Sequence, residues 1–495
     1  MKYILIAWVI FSAPLIAQKQ VVELDNITYS NFIKEETAFS LSNSETGELA
    51  LVIPDKRTVA AYLFNENFEL TDSITAESLR IKFKDIIGYR VTGTHYTTLF
   101  ATENKHFLGV VDFDFETGKT RTEQLDINLS SEEVLETVTH NNRFFLLSIN
   151  DDFEGLIVRE LMENGTLHKT ELKINEPVSI KDLLTRRNKP DEVDKRKGSV
   201  FNEPFVPEIV EIDNKNPNSL ETTSKLNKLY AKDNNLILIF DNFEAFTLVY
   251  FIDLSDFSVT EKRFPQEMVD GKYLEKSNSF LFEEKLFQIA VSDDKLILNI
   301  SDFKTGDIIR SFRATKERPI NFKNTNLNQK NGMFMGINEI RYLDDTAQFL
   351  RKVNNGLPGI AITQINNNYQ LTIGGTQVLG GGGGGMMMAG GGVVGGAAGG
   401  MVVSIYFNPT YSSYGSYNNT KSIYIESIFD AQFNHIQGYP LENVFDKVKA
   451  YQDSFEKISA EEVFAHNDKL YFGYYNKKSE VYNIVEFEKL QHSKI

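Results

Sequence analysis

Cysteine is absent from all 495 residues. No disulfide can form and no lipobox thiol exists for lipid attachment, so an exported chain of this length must be held by its own core. Tryptophan occurs once, at Trp8. Basic charge is short: 52 Lys and Arg face 68 Asp and Glu, a formal net charge of −16. Nucleic-acid binders present basic surface, so this balance argues against that class. The one basic cluster, Arg186-Arg187 with Lys195-Arg196-Lys197, alternates with Asp191, Glu192 and Asp194 and reads as a solvated loop.

Catalytic signatures are missing as well. There is no H-E-x-x-H, no G-x-S-x-G, no P-loop, and no G-x-G-x-x-G after a strand. Histidines at 95, 106, 140, 168, 435, 466 and 492 are scattered, without metal-ligand spacing. His106, His140 and His466 adjoin turn residues and read as solvated. The acidic pairs Asp112/Asp114, Asp151-Asp152, Asp293-Asp294 and Asp344-Asp345 fit turn chemistry. No D-x-[DN]-x-[DN]-G calcium ladder occurs. The sequence nominates no catalytic, cofactor or metal residue, and no cofactor is expected.

What is present begins with an export leader. Lys2 gives a minimal positive start, Ile4 to Phe11 an uncharged apolar stretch, and Ser12 and Pro14 break it. That stretch is far short of the ~20 residues of a spanning helix. Small or apolar residues up to Ala17, then polar Gln18, predict signal-peptidase cleavage between the two. The expected product, residues 18–495, is a Trp-free, non-lipidated protein of the periplasm or the medium.

From residue 36 to 314 short alternating runs are separated by turn clusters, the signature of strands and hairpins. Residues 225–264 hold four strands, with turns at Asp233-Asn234-Asn235, Asn242 to Ala245, and Ser255-Asp256. The same syntax recurs from Leu49, from His95, from Arg143 and from Glu284. It returns more weakly from Gly359, resuming at Ser422 to Phe429, and from Glu462. About 40 residues per four strands is the length of a propeller blade. The last unit lacks one strand, which residues 21–25 could supply beside Val481 to Phe487, closing the ring and removing an exposed edge. The expectation is all-β: about seven four-stranded blades, with six or eight as alternatives. Residues 441–458 predict a short amphipathic helix packed on the body.

Two insertions are expected. Residues 176–224 carry charge and proline, with two helical turns near Ile180. Residues 374–421 are rich in Gly, Met and Tyr, and from 353 to 420 no charged residue or histidine occurs. Gly-rich stretches resist fixed structure. The Tyr, Ser, Gly and Asn content of 406–419 resembles that of antibody contact loops. Met386, Met387, Met388, Tyr406, Tyr411, Tyr414 and Tyr417 are therefore the candidate interaction segment. Cu(I) binding by the Met triplet lacks the spacing that convergence needs.

The hairpin grammar of 36–314 and 460–488 resembles the β-propeller superfamily and is similar to exported propeller-like proteins of Gram-negative bacteria. Without a mature Trp there is no WD dipeptide, no tryptophan-docking motif and no Asp box ending in Trp. The resemblance implies a fold and carries over no active-site residue. A non-enzymatic binding or scaffolding propeller of the cell envelope is the leading expectation, its partner an envelope protein or a surface glycan, its oligomeric state open. A glycan-acting hydrolase or lyase working at the propeller mouth is the alternative.

Overall fold

Short runs of Leu, Ile, Val, Phe and Tyr, each cut off by Asn, Asp or Gly, favour antiparallel hairpins. The computed structural model describes residues 18–25, 27, 37–79, 82–150, 153–174, 180–185, 209–331, 340–365, 367–376, 407–419 and 421–488. Strand β1 (Lys19–Leu24) belongs to the last sheet. Four consecutive strands form each of the next three sheets. The first is β2–β5 (Phe39–Ser42, Leu49–Pro54, Thr58–Phe64, Leu70–Glu77) and the second β6–β9 (Asp85–Thr92, His95–Ala101, Leu108–Asp114, Lys119–Gln124). The third is β10–β13 (Glu132–His140, Arg143–Asn150, Phe153–Leu161, Leu167–Leu172).

Helix α1 (Ile180–Thr185), strand β14 (Val210–Glu211) and helix α2 (Leu220–Thr223) precede β15–β18 (Asn227–Lys232, Asn235–Phe240, Phe246–Asp253, Val259–Pro265). β14 adds to β15 in parallel as a fifth strand. The fifth sheet is β19–β22 (Lys276–Phe282, Lys285–Val291, Lys295–Asp302, Ile308–Thr315).

The sixth sheet departs from chain order. Its elements are β23 (Asn328–Asn331), β24 (Ile340–Tyr342), helix α3 (Thr346–Asn355), β25 (Leu357–Ile365), β26 (Asn368–Thr376), helix α4 (Pro409–Asn419) and β27 (Lys421–Phe429). They pair as β24-β23-β27-β26-β25, so its outer strands come from earlier in the chain than its first hairpin. Helix α5 (Val444–Gln452) leads to β28–β30 (Ile458–His466, Lys469–Asn476, Val481–Phe487), and β1 pairs with β30. Val22 lies opposite Ile484 and Leu24 opposite Tyr482, the pairing expected for residues 21–25.

Consecutive sheets meet through their first hairpins. The Tyr89 hydroxyl donates to the Ser42 carbonyl at 3.2 Å, joining the second sheet to the first. His140 Nε2 and Asn141 Nδ2 both reach the Asp233 carbonyl at 2.8 Å, joining the third to the fourth. Leu281 N donates to the Tyr230 hydroxyl at 3.2 Å, and the Tyr369 hydroxyl to Glu283 Oε2 at 3.2 Å. Ser42 Oγ and His466 Nδ1 are 2.8 Å apart, so the seventh sheet touches the first. His466 is therefore buried and not solvated, and burial lowers its pKa to about 4.

Between the fourth and fifth sheets lies a fully buried ion pair. Lys228 Nζ sits 2.9 Å from Asp241 Oδ2 and 2.6 Å from Asn278 Oδ1. Ser279 donates twice to the same Asp241 oxygen at 2.9 Å, and Thr247 Oγ1 to the other at 2.8 Å. With its lone pairs occupied, the carboxylate tolerates an apolar site that would otherwise reject it.

Both expected insertions carry more regular structure than foreseen. The charged one contributes α1, β14 and α2. The Gly-rich one loses both edges: β26 runs to Thr376, and residues 409–419 are helical. Strand residue 374 is a glycine because β27 approaches so closely that an added Cβ would collide with the Ile423 carbonyl oxygen. Ala17, Met386, Met387, Met388 and Tyr406 lie outside the described residues, whereas Gln18 precedes β1 and is exposed.

Candidate functional site

The first hairpins of several sheets turn toward one place. In the third and seventh sheets the two-residue turns Asn141-Asn142 and Asn467-Asp468 hold all four residues at positive φ, between 46° and 62°. Asn and Asp tolerate that left-handed geometry, and type I′ hairpins demand it. With the turns at Asp233 and Glu283-Glu284, these loops border a cavity of about 1330 Å³.

Sheet β26–β27 forms one wall. Along β27 side chains alternate: Ile423 and Ile425 are buried in the core, and Tyr424 and Glu426 face the cavity beside Gln370 and Thr372 of β26. Helix α5 brings Asp446. Its first turn is fixed by Asn443, whose side chain accepts from Phe445 N at 2.9 Å, while Val444, Phe445 and Val448 are buried. Helix α4 brings Tyr417, and β23 brings Lys330.

Five elements thus converge on one polar cluster. The Tyr417 hydroxyl donates to Asp446 Oδ2 at 2.9 Å. Lys330 Nζ donates to the Tyr417 carbonyl at 2.9 Å and lies 4.3 Å from the centroid of its ring, a cation–π contact. Gln370 Nε2 lies 3.3 Å from Glu426 Oε1 and 3.0 Å from the Leu441 carbonyl. Burial first, then the charge of Asp446, pushes the Glu426 carboxyl up to about 7. Burial also raises Asp446, but the Tyr417 hydroxyl and Lys330 oppose it. Burial lowers Lys330, and the Asp446 charge works against that. Near neutral pH Glu426 is thus partly protonated, while a hydrogen bond and a nearby positive charge oppose the rise that burial imposes on Asp446.

Two exposed tyrosines neighbour lining residues in the chain. Tyr439 and Tyr342 are the most exposed large hydrophobic side chains among the described residues, at 93% and 65%. Each adjoins the cavity lining: Tyr439 precedes Pro440, and Tyr342 lies two residues past Ile340 on β24. The sequence reading nominated neither tyrosine, nor any residue of the polar cluster apart from Tyr417.

The described tyrosines of the expected interaction segment are packed rather than presented. Tyr414 is 2% exposed, donates to Gln452 Oε1 at 2.7 Å and meets the Phe445 ring edge-on. Tyr411 packs partly buried between two core clusters. Tyr417 faces the cavity and touches Phe445. The signal for helix α4 was legible: Asn408 caps it by accepting from Tyr411 N at 3.0 Å, and Pro409 takes the first helical position. Just before the helix, Phe407 packs edge-on against Phe39 and Tyr89 of the first two sheets. Asn408 Nδ2 also reaches Glu462 Oε1 of β28 at 3.0 Å, and Ser413 Oγ accepts from Ser219 N at 2.7 Å. Residues 407–417 thus pack where several sheets meet.

These features define an all-β, propeller-like protein with a polar cavity where hairpin turns converge. No protein-family model and no curated protein matches the sequence. Among solved structures, an ACO/RPE65 chimera aligns with 57% of this chain and 61% of its own, at 10% identity and a TM-score of 0.28. Synechocystis apocarotenoid oxygenase aligns over the same shares at 9% identity and a TM-score of 0.28. A prolyl endopeptidase aligns with 90% of this chain and 47% of its own, at 8% identity and a TM-score of 0.31. The chain spans less than two thirds of each of these proteins, and such loose overlaps assign neither activity to it.

Proposed function

We propose that this chain is an exported seven-bladed propeller, closed by β1 on β30, whose cavity binds a neutral oligosaccharide. The contacts between successive sheets, including the seventh with the first, support closure. The leader-like residues before Gln18 support export. The observation that carries the binding reading is a polar cavity with two exposed tyrosines, Tyr342 and Tyr439, next to its lining residues in the chain. Sugars present hydroxyls that both donate and accept, which Gln370, Asp446 and Glu426 can match. Their apolar C–H faces suit exposed tyrosine rings such as Tyr342 and Tyr439. Carboxylates outnumber lysines around the cavity and the whole chain is acidic, so an anionic glycan would be repelled.

The test is calorimetric titration of the protein from Gln18 onward with cellohexaose, xylohexaose, mannohexaose, laminarihexaose and chitohexaose. Saturable binding of at least one is expected, weakened about tenfold or more by the double substitution Tyr342→Ala, Tyr439→Ala. Both side chains are exposed, so folding should not suffer. Absence of binding across the five sugars, or binding indifferent to the double substitution, would overturn the reading.

A further inference from the structure

We propose that the cavity is a glycoside-hydrolysing site in which Glu426 is the general acid and Asp446 the general base. The inference rests on the oligosaccharide reading above and adds chemistry to it. Two carboxyls from different elements, β27 and α5, line the same cavity with unlike surroundings. At Glu426 burial and the Asp446 charge outweigh the one opposing contact, the hydrogen bond that Gln370 donates. Asp446 takes a hydrogen bond from Tyr417 and feels the charge of Lys330. The proton therefore settles on Glu426 and the negative charge on Asp446, in keeping with the pKa of about 7 that burial and Asp446 give to Glu426. Environments that push two carboxyls apart in this way assign acid and base.

Acetal hydrolysis asks for little else: a proton for the leaving oxygen and a base for the attacking water. Glu426 hands its proton to the glycosidic oxygen, and the bond from that oxygen to the anomeric carbon breaks with its electron pair going to oxygen. Water adds to the anomeric carbon as Asp446 takes one of its protons. One hemiacetal and one alcohol result. Transfer of the proton from Asp446 back to Glu426 through solvent restores the starting state, and no oxidant, reductant or further reactant is consumed. Tyr417 and Lys330 are positioning residues: the first holds the Asp446 carboxylate, and the second is pinned by the Tyr417 carbonyl and ring.

The test measures new reducing ends released from whichever hexasaccharide binds, for the parent, Glu426→Gln and Asp446→Asn. Release by the parent is expected. Each substitution should lower the rate at saturating sugar at least about 100-fold, the usual span of general acid or base catalysis. The parent rate should fall on the alkaline side of about pH 7 as Glu426 ionises. Melting curves of both variants show whether they fold. Binding without release would overturn the hydrolysis and leave the binding reading standing. Absence of binding would overturn both. Equal rates for parent and Glu426→Gln would assign the acid elsewhere and sink this proposal.

Discussion

Glu462 is a buried acid that should make this protein lose stability as pH rises, and Glu462→Gln should remove that loss. Its side chain is fully enclosed on β28, where Oε1 accepts from Asn408 Nδ2 at 3.0 Å. Burial raises its pKa from 4.5 to about 8, against the lowering effect of that bond. The sign follows from linkage: the unfolded chain gives up this proton near 4.5, the folded chain only near 8. Stability from this group is complete below about pH 4.5 and drains away as pH climbs toward 8. At pH 7 the loss is about 3 kcal/mol, from 1.36 kcal/mol per pKa unit. At about 2.1 cal/mol/K per residue, a chain this long has an unfolding entropy near 1 kcal/mol/K, so the loss amounts to about 3 °C in Tm. Glutamine keeps the acceptor for Asn408 and cannot ionise. Melting curves by circular dichroism should show the variant gaining about 3 °C over the parent at pH 7 and nothing extra at pH 4.5. A Tm difference that stays constant from pH 4.5 to 8 would refute the reasoning.

Other consequences can be checked on the same protein. Asp241→Ala strands Lys228 in the core and should cost about 3–5 kcal/mol in a urea titration, whereas Lys228→Met with Asp241→Leu should cost clearly less. His466 works in the opposite sense to Glu462. Its pKa is lowered to about 4, so its burial costs nothing above about pH 6.5 and costs up to about 3 kcal/mol as pH falls through 4. His466→Asn should flatten the acid limb of the Tm-against-pH curve. Terminal sequencing of the exported protein should read from Gln18, and its emission spectrum should lack a tryptophan band.

Much of the fold was legible because its inner strands are short apolar runs cut off by turn residues. Leu236 to Phe240 and Leu470 to Tyr475 are apolar runs stopped by Asp241 and Asn476, and each became a second strand. First strands were harder to see. Asp85–Thr92 and Glu132–His140 carry charge and polar residues along their length because they face neighbouring sheets and inner turns, where full apolar burial is not required. The outer strand β23 was missed because its sequence, Asn328–Asn331, is wholly polar and owes its conformation to pairing with β27. Helix α4 was masked by composition: Tyr, Ser and Gly suggested a contact loop, while the local signal in Asn408-Pro409 pointed to a helix start. Within the site, Glu426 and Asp446 are 20 positions apart on different elements, and Lys330 is nearly a hundred residues upstream. The pairing of β23 on β27 and the packing of α5 bring them together, and no local pattern encodes that.

The most direct measurement is a crystal structure of the protein grown with the tightest-binding of the five hexasaccharides. The sugar should lie in the cavity bordered by Gln370, Tyr424 and Asp446, with a ring stacked on Tyr342 or Tyr439. Sugar bound at another surface, with that cavity filled by solvent alone, would contradict the account.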